Sequence, residues 1–206
     1  MNKIFLFVII FSMCSLAQTI YELPFASQGN EIELTIANTS DIPLQNVKVD
    51  VEKTPAWINF NNCQTIISKI DGHNETIALF EFSVDRKAPV GEAGTILFKV
   101  KSPLEDELYK EINVVVAKPT TYELSQNYPN PFNPATKIEF IIPNDEKVTL
   151  KVYDILGREV KTLVNDFLEA GHHEIMFNAD QLASGTYIYR LNFVSYQQIK
   201  KMMLVK

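Results

Sequence analysis

The sequence predicts an all-β chain, two consecutive β-sandwiches behind a short apolar leader. Apolar and polar residues alternate with period two in run after run, the runs are short and bounded by turn residues, and no stretch has the spacing of a long amphipathic helix. The composition is that of a folded chain: of 206 residues, 46% are hydrophobic, 21% charged and 11% aromatic, with only seven glycines. A sandwich of ~90 residues buries about 60–65% of its unfolded surface, so this length can hold two cores. The formal net charge of −6 repels phosphate backbones and excludes nucleic acid as a partner.

Lys3 gives the leader a positive start, residues 4–13 form an apolar stretch, and Ser15-Leu16-Ala17 sets small residues where a signal peptidase reads them. Residues 1–17 are therefore expected to be a signal peptide. The stretch is too short to span a bilayer core of about 30 Å, and no transmembrane segment is expected in the mature chain. A lipid-modified Cys14 would need a small residue before it, where Met13 stands. Cleavage after Ala17 leaves Cys63 alone in an oxidising compartment, without a partner for an internal disulfide. Free cysteine packs as a small hydrophobe, so Cys63 is expected to be buried and inert.

Residues 18–118 read as the first sandwich. Ile32, Leu34 and Ile36 alternate with Glu31, Glu33 and Thr35, one face for a core and one for water. Asn38-Thr39-Ser40-Asp41 breaks the run, and Val47, Val49 and Val51 alternate with Lys48, Asp50 and Glu52 after it. Further strands are expected at 56–60, 63–68, 75–84, 94–101 and 108–117, divided by Asp71-Gly72, Ala88-Pro89-Val90-Gly91 and Ser102-Pro103. About seven strands at this spacing point to an Ig-like sandwich. Residues 119–127 read as a short linker, too short and too poor in glycine for a flexible tether.

Residues 128–206 read as a second, smaller sandwich. It opens on Tyr128-Pro129-Asn130-Pro131-Phe132-Asn133-Pro134, whose prolines cannot donate to a ladder, so this is an ordered lead-in. Strands follow at 136–142, 147–154, 159–164, 172–177, 185–193 and 198–205. Leu156-Gly157 is expected to make one hairpin turn and Glu169-Ala170-Gly171 another. Gly157 and Gly185 stand where a reversal favours positive φ, and Asp154 and Arg158 flank the first turn, within reach of each other.

Four pieces of this second unit, in order, resemble one family. Tyr128-Pro129-Asn130-Pro131-Phe132 is similar to the Pro-Asn-Pro signature that opens the type A C-terminal sorting domain of type IX secretion cargo. Lys151-Val152-Tyr153-Asp154-Ile155-Leu156-Gly157-Arg158-Glu159-Val160 resembles its central hairpin. Leu182-Ala183-Ser184-Gly185-Thr186-Tyr187-Ile188-Tyr189 resembles the segment before its penultimate strand, and Lys200-Lys201 with the apolar run to Lys206 resembles its last strand. The resemblance covers about residues 122–206. It implies export to the cell surface or the medium by way of the periplasm, with the outer-membrane type IX machinery as partner. On it, Pro129, Asn130, Pro131, Phe132, Gly157, Gly185, Tyr187, Lys200, Lys201, Met202 and Leu204 are the candidate sorting-signal residues. The Ig-like module of flagellar hook-capping proteins shares the central hairpin, but the signal peptide argues against that family.

The first unit resembles, through Thr54-Pro55-Ala56-Trp57 and Ala88-Pro89-Val90-Gly91, the Ig-like modules appended to bacterial surface enzymes and adhesins. Such modules carry no chemistry of their own, which implies binding or adhesion to a surface glycan or protein, or else a structural spacer or a small accessory domain of a surface carbohydrate-active system. Trp57 is the candidate ligand contact if exposed as a sugar-stacking platform; a lone Trp in a sandwich otherwise fills the core.

No enzyme reading gathers support. Glu105-Asp106-Glu107 reads as a solvated acidic loop, since neighbouring residues do not set two carboxylates about 5–10 Å apart across a substrate. His172 and His173, adjacent on a strand, point to opposite faces and do not make a metal site. No nucleophile elbow, phosphate loop or paired CxxC occurs, and no catalytic residue, metal or cofactor is expected.

The last strand carries apolar residues on both faces, Ile199, Met203 and Val205 on one and Met202 and Leu204 on the other. The expectation is that Met202 and Leu204 remain as an apolar docking face for a partner, the alternative being that the first domain covers that face.

Overall fold

The computed structural model describes residues 3–9, 19–103, 105–194 and 196–206, with residues 3–9, 105 and 106 described by backbone alone. The cleavage point expected after Ala17, and Cys14, lie outside the described residues. Among those described, no helix is long and apolar enough to cross a membrane. The chain divides into two compact units, Met1–Ala117 and Lys118–Lys206.

The first unit holds β1 (Lys3–Ile9), β2 (Ile20–Leu23), β3 (Asn30–Ala37), β4 (Leu44–Lys53), β5 (Ile58–Phe60), β6 (Gln64–Ile70), β7 (Glu75–Val84), β8 (Ala93–Ser102) and β9 (Glu105–Val116). They form a four-stranded sheet in the order β1-β3-β7-β5 and a five-stranded sheet in the order β2-β9-β8-β4-β6. The alternation read from the sequence sets the inward faces. Ile32, Leu34 and Ile36 from β3 and Ala78, Phe80 and Phe82 from β7 share one buried core with Val47 and Val49 from β4, Ile96 and Phe98 from β8 and Ile112 and Val114 from β9. Phe80 and Phe98 meet at 5.0 Å between ring centroids, within the 4.5–7 Å range of favourable aromatic pairs.

One end of this unit is held by a buried amide. Asn38, 2% exposed, donates from Nδ2 to the carbonyls of Ile42 (2.9 Å) and Ile70 (3.1 Å), and its Oδ1 accepts from the Ser40 amide at 3.0 Å. Beside it, a Cβ on Gly72 would fall 2.7 Å from the Asp41 carbonyl oxygen, so only glycine fits there.

The second unit holds β10 (Glu123–Leu124), β11 (Ala135–Ile142), β12 (Glu146–Tyr153), β13 (Glu159–Leu168), β14 (Gly171–Asn178), β15 (Gly185–Asn192) and β16 (Gln197–Leu204). A three-stranded sheet β10-β11-β14 faces a four-stranded sheet β13-β12-β15-β16. Ile138, Phe140 and Phe177 from the first pack with Val148, Leu150, Val152, Tyr189, Leu191, Met202 and Leu204 from the second. Both units are sandwiches of the Ig-like kind that the sequence predicts.

Four local expectations need correction. Glu169-Ala170 does not close a hairpin: β13 pairs with β12 and β14 with β11, so those two residues carry the chain from one sheet to the other. Residues 119–127 do not stand apart as a linker, because β10 pairs with β11 and Asn127 is 1% exposed within the second unit. Cys63 is exposed, not buried: it ends the crossing from β5 to β6, where its carbonyl accepts from the Val51 amide at 2.8 Å. Glu105, Asp106 and Glu107 begin β9 and form no loop; the Glu107 carboxylate meets Lys101 at 3.1 Å and accepts from the Tyr109 hydroxyl at 3.0 Å.

Candidate functional site

The candidate site grows from one buried phenol. Tyr189 sits on β15, between β12 and β16, and is fully buried. Burial disfavours its ionised form and pushes its pKa up to about 12, so the group acts as a neutral hydrogen-bond partner. Its hydroxyl accepts from the Asn127 amide at 2.9 Å and donates to the Ser125 carbonyl at 2.8 Å. The start of the lead-in is thereby fastened to the centre of the sheet. Asn127 then donates from Nδ2 to the Pro129 carbonyl and to Thr136 Oγ1, each at 3.0 Å, and Thr136 donates to the same carbonyl at 2.8 Å.

From that anchor the lead-in runs along β16, the outermost strand of its sheet. The Tyr128-Pro129 and Asn130-Pro131 peptides are both cis. Gln126 Nε2 donates to the Lys201 carbonyl at 2.7 Å, and Asn130 Oδ1 accepts from the Met203 amide at 2.9 Å. Phe132 donates from its amide to the Met203 carbonyl at 2.9 Å and accepts from the Val205 amide at 3.0 Å, a parallel bridge one residue long. The Phe132 ring, 2% exposed, closes the core 5.9 Å from Phe177. An unpaired strand edge is a template for foreign strands. Here the prolines supply the bends while Gln126, Asn130 and Phe132 occupy the edge of β16.

The other sorting-signal residues are spread over the unit. Asp154 holds the β12–β13 turn: its carboxylate accepts from the Leu156 and Arg158 amides at 2.9 and 3.0 Å and pairs with the Arg158 guanidinium at 2.7 Å. Gly157 takes φ +77° in that turn. Gly185 takes φ +155° at the start of β15, and Tyr187, 7% exposed, donates to the Ala183 carbonyl at 2.8 Å. Lys201 is exposed and Lys200 half-buried.

The docking face expected on β16 is the wrong face. Met202 and Leu204, each 1% exposed, belong to the core, while Ile199 (55%), Met203 (48%) and Val205 (48%) face out. β16 follows the parity of Tyr187 and Tyr189, its partners in the register Tyr187↔Met202 and Tyr189↔Lys200, and both tyrosines point inward. Of the candidate residues, Asn130 and Phe132 meet β16, the strand of Lys201, Met202 and Leu204, along this one edge, with Pro129 and Pro131 on either side of Asn130; Gly157 lies at the β12–β13 turn. Sequence reasoning missed Gln126, Asn127, Thr136 and Tyr189. Asn127 directly precedes the proline-rich run, the one local sign of its role.

Trp57 is half-buried and packs against the first unit's core. A Cβ on Gly94 would come within 2.9 Å of its Cζ2 and 2.6 Å of Pro55 Cγ, so the indole and the proline lie on a bare glycine backbone. His172 and His173 reach different partners: His172 Nε2 is 3.2 Å from Glu139, and His173 Nε2 meets the Glu169 carbonyl at 2.8 Å.

Residues 126–206 match the family described as "Secretion system C-terminal sorting domain". The matched segment starts at Gln126, whose side chain bonds the Lys201 carbonyl of β16, and runs through that strand. No curated protein matches the chain. Among solved structures, dimeric latent PorU from Porphyromonas gingivalis is similar at 15% identity and TM-score 0.33, covering 93% of this chain and 19% of that one. The calcium binding domain CBD12 of CALX1.1 is similar at 11% identity and TM-score 0.38, covering 84% and 76%. The secreted serine protease VesC from Vibrio cholerae is similar at 10% identity and TM-score 0.32, covering 90% and 50%. At these TM-scores none of the three bears on what the chain does.

Proposed function

We propose that this is a non-catalytic binding or adhesion protein, delivered to the cell surface or the medium by its C-terminal unit. The sorting match indicates export and engagement of the type IX machinery. The observation that carries the reading is that the residues resembling the sorting signature are built into one edge, with Gln126, Asn130 and Phe132 seated on β16. The first unit is the cargo, and its ligand is a surface glycan or protein. Support for a role without chemistry comes from the spread of its polar groups: Lys48 pairs with Asp50, Lys99 with Glu52 and Lys101 with Glu107 across an open sheet face. That same self-paired face also favours a spacer, the second reading, because paired charges leave little for a ligand to satisfy.

Deleting residues 126–206 in a host with working type IX machinery tests the export half. The truncated chain should be trapped in the periplasm; its normal appearance outside the cell sinks the reading. A glycan and cell-surface binding screen of the exported protein decides between adhesion and spacer.

A further inference from the structure

β3 has β7 on one side and β1 on the other. β1 belongs to the leader expected to be cut away after Ala17. Once it is gone, one edge of β3 turns its backbone groups to water over Asn30–Ala37. Such edges are usually blunted by proline, lysine or a bulge. The run Asn30-Glu31-Ile32-Glu33-Leu34-Thr35-Ile36-Ala37 has no proline or lysine, and its pairing with β7 shows no register shift. That this edge takes an added strand is seen in β1 itself, which lies along it in parallel from Lys3↔Glu31 to Ile9↔Ala37.

We propose that after loss of the leader two copies of the chain pair through β3, antiparallel about a two-fold axis at Leu34, as an edge-to-edge homodimer. A two-fold contact must be self-complementary, and this register is. Leu34 faces its own counterpart and Ile32 faces the second copy's Ile36, all core-facing residues with 0% exposure. On the outer face Glu33 meets the second copy's Thr35, and Glu31 meets its Ala37. Like charges placed directly opposite destabilise a pair, and here none are. An axis at Glu33 would set that carboxylate against itself, and one at Ile32 would set Glu31 against Glu33. An axis further along the strand shortens the paired stretch.

This inference rests on the reading of residues 1–17 as a removable leader. It is tested on purified chain spanning residues 18–206, confirmed by intact mass, so its outcome is independent of the export assay. Sedimentation over a concentration series should give twice the chain mass. Thr35→Glu sets a carboxylate against Glu33 at two symmetry-related places and should give a monomer with an unchanged melt. Adding Glu33→Lys to Thr35→Glu pairs opposite charges at the same places and should restore the dimer. A parent chain that stays monomeric, a dimer indifferent to Thr35→Glu, or a double variant that stays monomeric each overturns the proposal.

Discussion

The Met203 amide of the last strand donates to Asn130 Oδ1, 2.9 Å away, and so joins the middle of Pro129-Asn130-Pro131 to the end of the sandwich. The bond is exposed, and water can replace it in part. Asn130→Ala should therefore cost only about 0.5–1.5 kcal/mol, the net worth of an ordinary hydrogen bond. It also uncovers part of the β16 edge. The expected result is a small loss in thermal stability with a larger loss of exported protein, read as Tm against the amount outside the cell. An export loss no larger than the stability loss explains would reduce Asn130 to a structural tie.

Tyr189 gives a sharper test, because its hydroxyl satisfies the amide of the buried Asn127 as well as the half-buried Ser125 carbonyl. Tyr189→Phe keeps the ring but leaves the Asn127 amide and the Ser125 carbonyl without the hydroxyl they share. An unsatisfied buried group costs about 1–3 kcal/mol. Urea unfolding should show a loss of this size in the transition assigned to the second unit. No change in midpoint would mean the lead-in stays seated without the phenol.

Most of the sandwich was legible because alternation fixes a strand as soon as one face is wet. β3, β7 and β12 needed nothing more. What escaped depended on partners far along the chain. β2 is four residues long and is a strand only by lying parallel to β9. β10 has two residues and is defined by β11. The step at Glu169-Ala170 looks like a hairpin because a short connector reads alike whether the next strand pairs with the last or joins the opposite sheet. The exposure of Cys63 follows from its place in a crossing between sheets, where the tendency of free thiols to be buried does not decide. At the site, Asn130 and Phe132 were legible as motif residues. Their seat on β16 was not, since it needs the last strand to lie at the edge.

The two faces of β16 make a paired prediction. Alternation sorts its residues into two sets but is silent on which is inside when both are apolar. Met202 is in the core, so Met202→Ala should cost about 2–5 kcal/mol, the range for buried Met truncations. Met203 is 48% exposed, and Met203→Ala should stay within about 0.5 kcal/mol. Chemical denaturation of both variants decides it, and similar losses in the two would mean the faces are not divided as described.

Glu139 ties the stability of the second unit to acid. The Lys137 ammonium, 2.6 Å away, is the main cause of its low pKa, and His172 adds to it against the opposing effect of burial. Together they hold the carboxyl at about 2, below its ordinary value of 4.5. A carboxylate whose pKa is lower folded than unfolded stabilises the fold above the unfolded value, and that stabilisation is lost as pH falls through the folded value. The second unit should therefore lose stability between pH 4.5 and about 2, the interval set by these two values. Glu139→Gln cannot ionise. It should lower stability at neutral pH and flatten the fall over that interval, while Lys137 keeps its second partner, Glu174, at 3.2 Å. Urea midpoints measured from neutral pH downward provide the comparison. An acid limb as steep in Glu139→Gln as in the parent would assign the acid sensitivity to other carboxylates.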